Sequence, residues 1–132
     1  HWSYSNKKLP CAPTTRYPDY LFVASTEHVV LLEVDENEHR DYNASCEVAR
    51  ISEMMDSIGH ANLHVIRFNP NTVGVDNDTK KRRVLSVLDS AIQTNFGRFN
   101  DGGCVVQYVG YSHDRIEELD RMTCDLQASN TV

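Results

Sequence analysis

Apolar and polar positions fall in blocks whose period changes along the chain. Tyr20 to Ala24 is apolar and aromatic, Ser25-Thr26-Glu27 is a short polar break, and the run from Val29 to Asp35 opens with four aliphatic residues. Two β-prone runs so closely spaced predict a hairpin. The second run is apolar on both faces through Leu32, which places it inside its sheet rather than at an edge. Then the period lengthens. Ile51, Met54, Met55 and Ile58 recur at helical spacing, with Asn43 or Ser45 as a cap and Gly59 as a stop. Leu63 to Phe68 reads as another buried strand, ended by Asn69-Pro70-Asn71, and residues 70–78 read as a loop rich in Asn and Asp. A second helix is predicted from Thr79, with Val84, Leu85, Leu88, Ile92 and Phe96 on its apolar face. After a turn at Asp101-Gly102-Gly103, Cys104 to Tyr111 is a strand and Asp114 to Met122 a short polar helix. This order predicts an α/β fold: a single domain with a mixed β-sheet flanked by helices.

Composition sets the boundaries. Residues 1–18 are polar and carry Pro10, Pro13 and Pro18, which predicts an irregular arm. The domain is expected over residues 19–125, with a tail at 126–132. A chain of 132 residues suits one domain with a real core. The opening at His1 rather than Met reads as a piece of a longer protein. No apolar run is long enough to cross a bilayer and no signal segment opens the chain. Four cysteines, Cys11, Cys46, Cys104 and Cys124, form no C-x-x-C pair, so zinc is not signalled. They read as reduced, buried thiols of an intracellular protein, cytoplasmic or nuclear. The sequons at Asn43-Ala44-Ser45 and Asn77-Asp78-Thr79 do not change that picture. The net charge of −6 argues against attraction of nucleic acid by the whole surface. One basic run remains, Lys80, Lys81, Arg82 and Arg83. It lies at a predicted helix start, where positive charge opposes the helix dipole, and phosphate contacts would account for it. A solvated charge run accounts for it equally.

The candidate chemistry lies where the second strand ends. Side chains alternate along a strand, so Glu33 and Asp35 share a face. With the hairpin turning near Thr26, Asp19 falls opposite Glu33, about 5 Å away across the strands. Three carboxylates so placed repel one another unless protonated or bridged by a cation, and hard oxygen ligands of this kind suit Mg²⁺. His39 follows within a few residues and titrates near neutrality, which suits proton transfer; the plainer reading is a surface histidine beside Glu38 and Asp41. Running the helical stripe back from Ile51 and Met54 reaches Glu47, with Arg50 at its edge. Glu47 either joins the acidic site or is an N-terminal helix acid paired with Arg50. Arg67 lies inside the apolar run Val65-Ile66-Arg67-Phe68 and needs a partner, for which the acidic cluster is a candidate.

These residues also resemble a known family. "YPDYLF" (Tyr17–Phe22) followed by "LLEVDENEH" (Leu31–His39) is similar to the PD-(D/E)XK nuclease superfamily, most of all its very-short-patch-repair-type and homing endonuclease branch. "VIRFNPN" (Val65–Asn71) looks like the strand that follows the helix in that branch. The resemblance covers residues 16–71. It implies a restriction-endonuclease-like core and a Mg²⁺-dependent endonuclease acting on DNA, with Mn²⁺ able to substitute and RNA left open. On it, Pro18-Asp19 is the Pro-Asp of the motif, and Asp19, Glu33 and Asp35 are the metal ligands. His39 is the trailing histidine that moves a proton. Glu47, reached by the helical stripe and not by the resemblance, is counted with the catalytic set. Asp35 stands where the superfamily name has lysine; the repair-type branch lacks that lysine too. Domains of this kind occur in large DNA viruses and algae. A homodimer is compatible with cutting both strands. The alternative is a catalytically inactive module on the same fold that binds nucleic acid or protein.

Overall fold

A computed structural model describes residues 19–25, 27–40, 43–58, 62–93 and 104–130. The expected arm at 1–18, the Gly59 stop, Phe96 and the Asp101–Gly103 turn lie outside them. The elements are β1 (Tyr20–Ser25), β2 (His28–Val34), α1 (Ala44–Ile58), β3 (Asn62–Phe68), α2 (Asn77–Gln93), β4 (Cys104–Val109) and α3 (His113–Asn130). They form one small α/β domain with a mixed sheet of order β1-β2-β3-β4. β1 runs antiparallel to β2, while β2, β3 and β4 are parallel. The hairpin and the interior position of β2 follow the apolar pattern.

The caps are local chemistry. The Asn43 side-chain oxygen accepts from the Ser45 backbone N–H at 2.9 Å, which satisfies an orphan donor at the start of α1. Asp76 does the same for Thr79 at 2.7 Å, so α2 begins two residues before the Thr79 expected from its periodicity. The closing helix is longer than expected, running to Asn130 through much of the expected tail. Leu85, expected on the apolar face of α2, is 53% exposed. The buried stripe is Val84, Val87, Leu88, Ala91 and Ile92, which keeps the i, i+3, i+4 spacing that Leu85 breaks.

The sheet is covered on both faces. Val30, Leu32, Ile66 and Val109 pack against α2. Val29, Leu31, Leu63, Val65 and Val106 meet Ile51 and Met54 of α1 on the other. Ala44, Val48 and Leu119 join α1 to α3 there, over Tyr108 and Tyr111. Both crossovers step the same way across the sheet, from β2 to β3 to β4, yet their helices lie on opposite faces. The two therefore have opposite hands, and one departs from the usual right-handed rule. The consequence is that α2 and its basic run are separated by the sheet from everything on the α1 side. Among the described residues, no helix is long and apolar enough to cross a membrane.

Cys46 corrects an expectation. It is disulfide-bonded, its partner lying outside the residues whose side chains are described, and not a reduced thiol. Disulfides depend on Cα separation in the folded chain, which the spread of cysteines in sequence does not show. With that goes the argument from thiols for an intracellular compartment. Cys104 is a free, exposed cysteine.

One backbone position ties the sheet end together. Gly110 follows β4 with φ +77°, and a Cβ there would lie 2.5 Å from Thr72 Oγ1 and 2.7 Å from the Asn69 carbonyl oxygen. Thr72 and Asn69 both donate to the Gly110 carbonyl, at 2.8 and 3.1 Å. Gly110→Ala is predicted to cost about 2–3 kcal/mol by chemical denaturation, through strain that backbone atoms cannot relieve.

Candidate functional site

The parallel strands end together, and the first residues beyond them form the site. Open α/β sheets bind ligands at this end of their strands. In the register, Tyr20 pairs Leu32, so Asp19 falls beside Glu33; Glu33 pairs Arg67, and Arg67 pairs Tyr108. One row on the α1 face thus carries a carboxylate pair, a guanidinium and a phenol. The hairpin contact is mutual. The Asp19 N–H donates to Glu33 Oε2 at 3.0 Å, and the Val34 N–H donates to Asp19 Oδ2 at 2.8 Å.

Arg67 organises the interior of the cluster. It is 2% exposed, donates through Nε to Asp35 Oδ2 at 2.7 Å, and donates through its terminal nitrogen to Glu47 Oε1. Burial would lower its pKa, but the neighbouring Asp35 and Glu47 carboxylates hold it above the ordinary arginine value. The Tyr111 hydroxyl donates to the same Asp35 oxygen at 2.5 Å. Burial, with Asp35 beside it, raises the Tyr111 pKa, so it stays a neutral donor. His39 Nδ1 lies 2.6 Å from Glu47 Oε1, and its Nε2 lies 3.4 Å from Asp35 Oδ1. Burial would raise the Glu47 pKa, yet the His39 hydrogen bond and the Arg67 charge outweigh it and hold Glu47 at about 2. Glu47 is therefore a carboxylate and must accept, which assigns the Nδ1 proton to the imidazole and leaves Nε2 as the basic nitrogen of its neutral form.

Of the two readings of Glu47, the pair with Arg50 does not form. Instead Arg50 reaches across to Glu33 Oε1, and Glu47 turns to Arg67 and His39. The cluster of Asp19, Glu33, Asp35 and Glu47 then sets four carboxylates against two guanidiniums, Arg50 and Arg67. Asp35 is fully buried, yet among the described residues its Oδ1 has no hydrogen-bond donor, and Glu33 Oε1 has no aligned donor beyond the Arg50 charge. Among the described residues, no three histidine, cysteine or carboxylate side chains are grouped as a ready-made metal site. Arginines occupy the carboxylates that would have to converge.

His39 reaches this place by an unusual backbone. Asn37, Glu38 and His39 all have positive φ, at 54°, 61° and 50°. Such left-handed residues cost roughly 1–2 kcal/mol each outside glycine. Contacts from three directions hold the turn. Asn71 Oδ1 accepts from the Asn37 N–H at 2.9 Å. The buried Glu38 carboxylate takes the Ser112 N–H and the Arg40 Nε–H. Buried Arg115 donates to the backbone carbonyls of Glu38 and His39 at 3.1 and 2.8 Å. Tyr111, Ser112 and Arg115 carried no signal in the sequence; they arrive by topology, from the far end of the chain.

The basic run is not brought to the acids. Lys80 donates to the Pro70 carbonyl at 2.7 Å, where it closes the loop after β3. Arg82 and Arg83, with Thr79, Ser86, Tyr108 and Gly110, line an open groove of about 520 Å³ between α2 and β4. Lys81 is exposed. The groove opens at the same end of the strands as the cluster but against α2, not α1.

Comparison with models of protein families, with curated proteins and with solved structures found no match.

The depressed Glu47 pKa has a stability consequence. Its contribution is fully present above the unfolded value near 4.5 and is lost as pH falls toward 2. Glu47→Gln is predicted to lose about 3 kcal/mol at pH 7 and progressively less below about pH 4.5. Urea melts of both proteins from pH 7 to pH 3 check this; a constant difference across that range would contradict it.

Proposed function

We propose that the protein is a metal-dependent endonuclease that hydrolyses phosphodiester bonds in DNA. One observation carries the reading. At the C-terminal end of the strands, four carboxylates meet two guanidiniums; among the described residues the buried Asp35 Oδ1 has no hydrogen-bond donor, and Glu33 Oε1 is met only by the Arg50 charge. Counting carboxylates against guanidiniums, the cluster is short of two positive charges, the charge of one divalent cation. Glu33 Oε1 and Asp35 Oδ1 are hard donors, and Asp19 adds an exposed carboxylate beside them. Their oxygens are of the hard kind that suits Mg²⁺, with Mn²⁺ as a substitute, and gathering them on one ion would require an arginine to give way. The resemblance to the PD-(D/E)XK superfamily points to the same three acids.

The chain's own groups have distinct tasks on this reading. Asp19, Glu33 and Asp35 would hold the ion, which supplies positive charge against the phosphate oxygens and lowers the pKa of water. Arg67 and Tyr111 fix one Asp35 oxygen, and the other stands 3.4 Å from His39 Nε2. Glu47 aligns His39 so that Nε2 can take a proton from an attacking water, as an orienting carboxylate does for a catalytic imidazole. Arg82 and Arg83 would contact phosphates away from the cut.

The alternative, an inactive nucleic-acid- or protein-binding module, is favoured by a different observation: Arg50 and Arg67 already sit on carboxylates. Plasmid nicking separates the two. Wild type is expected to nick with Mg²⁺ or Mn²⁺ and not in EDTA, and Asp19→Ala to abolish nicking. His39→Ala is expected to lower kcat about 10²–10⁴-fold with KM little changed. Failure of the folded protein to cleave plasmid, single strands or RNA in either metal would favour the binding module.

A further inference from the structure

The two arginines in the cluster are held in different ways. Arg67 is committed: Nε donates to Asp35 and a terminal nitrogen to Glu47. Arg50 is 6% exposed and touches Glu33 Oε1 through one terminal nitrogen. Among the described residues its Nε has no hydrogen-bond partner, and the Glu33 oxygen that its terminal nitrogen meets has no aligned donor. The contact is charge against charge without the paired, planar geometry that makes an arginine–carboxylate bridge strong. A buried guanidinium with an orphaned Nε pays desolvation that this contact repays poorly. Arg50 also stands on the inward stripe of α1, three residues after Glu47, with a long stem that can swing.

We propose that Arg50 is a built-in counter-ion on the Glu33 carboxylate, so that binding of a divalent cation is linked to release of Arg50. This rests on the metal reading above. In the metal-free protein, Arg50 keeps Glu33 from standing buried and unpaired. A divalent ion at Glu33, Asp35 and Asp19 competes for the same oxygen, so each cation weakens the other's hold. The ordinary affinity for metal is therefore weaker than three acids would give. A phosphate arriving with the metal would find a displaced guanidinium close by to receive it.

The test is Mn²⁺ binding by calorimetry and by electron paramagnetic resonance on the whole chain without nucleic acid. Arg50→Met is expected to bind Mn²⁺ about tenfold tighter than wild type, and its lowered Tm to recover more on adding Mn²⁺. Arg50→Lys keeps the charge on a more easily released group and is expected to tighten binding about threefold, which serves if Arg50→Met does not fold. Arg121→Met removes an exposed arginine of α3 away from the cluster and is expected to leave affinity unchanged, separating a specific competitor from general charge. Equal or weaker Mn²⁺ binding by the Arg50 variants, with measurable wild-type binding, overturns the proposal. No Mn²⁺ binding by any of them overturns the metal reading itself.

Discussion

The structure turns on one buried charge. Arg67 stands inside a parallel strand whose neighbours are fully covered, and a guanidinium there is tolerable only if acids come to it. Asp35 comes from the residue after β2 and Glu47 from the first turn of α1. Each is brought by a different element, so the Arg67 contacts fix where β2 ends, how α1 lies on the sheet and where His39 can rest. Removing one member of such a buried set typically costs about 3–5 kcal/mol, because the partners remain as unpaired charges. Unlike an apolar contact, this arrangement also leaves a residue of charge, since the acids it gathers outnumber the arginines.

The second constraint is the strained turn. Three successive left-handed residues are stable only when the surroundings overdetermine them, and here Ser112, just before α3, and Arg115 in its first turn supply most of the restraint. The turn leaves His39 buried between Asp35 and Glu47, the placement that the proposed proton transfer would use. The same bonds give α3 a purpose that its polar sequence does not suggest.

Much of this was legible in the sequence because it depends on period and register. The hairpin break placed Asp19 opposite Glu33, the alternation put Glu33 and Asp35 on one face, and the helical stripe run backward reached Glu47. An arginine inside an apolar run announced that it needed acids. What was not legible depends on long-range topology or on backbone conformation. Tyr111, Ser112 and Arg115 meet residues more than 70 positions earlier, and no local pattern foretells that. The left-handed turn shows only faintly, in Asn37 and His39, the two residue types of the three that are enriched at positive φ. Arg50 was read as the neighbour of Glu47 because helical spacing allows that pair; the sheet offered it Glu33 instead. Lys80–Arg83 were read as one patch, and the opposite-handed crossover carried them to the other face.

The central claim is that the acids at the sheet end hold a divalent cation. Anomalous diffraction from crystals grown with Mn²⁺ tests it most directly. The account predicts a peak within ligand distance of Asp35 Oδ1 and the Asp19 and Glu33 carboxylates. No peak there at millimolar Mn²⁺, with Arg50 still on Glu33, would contradict it.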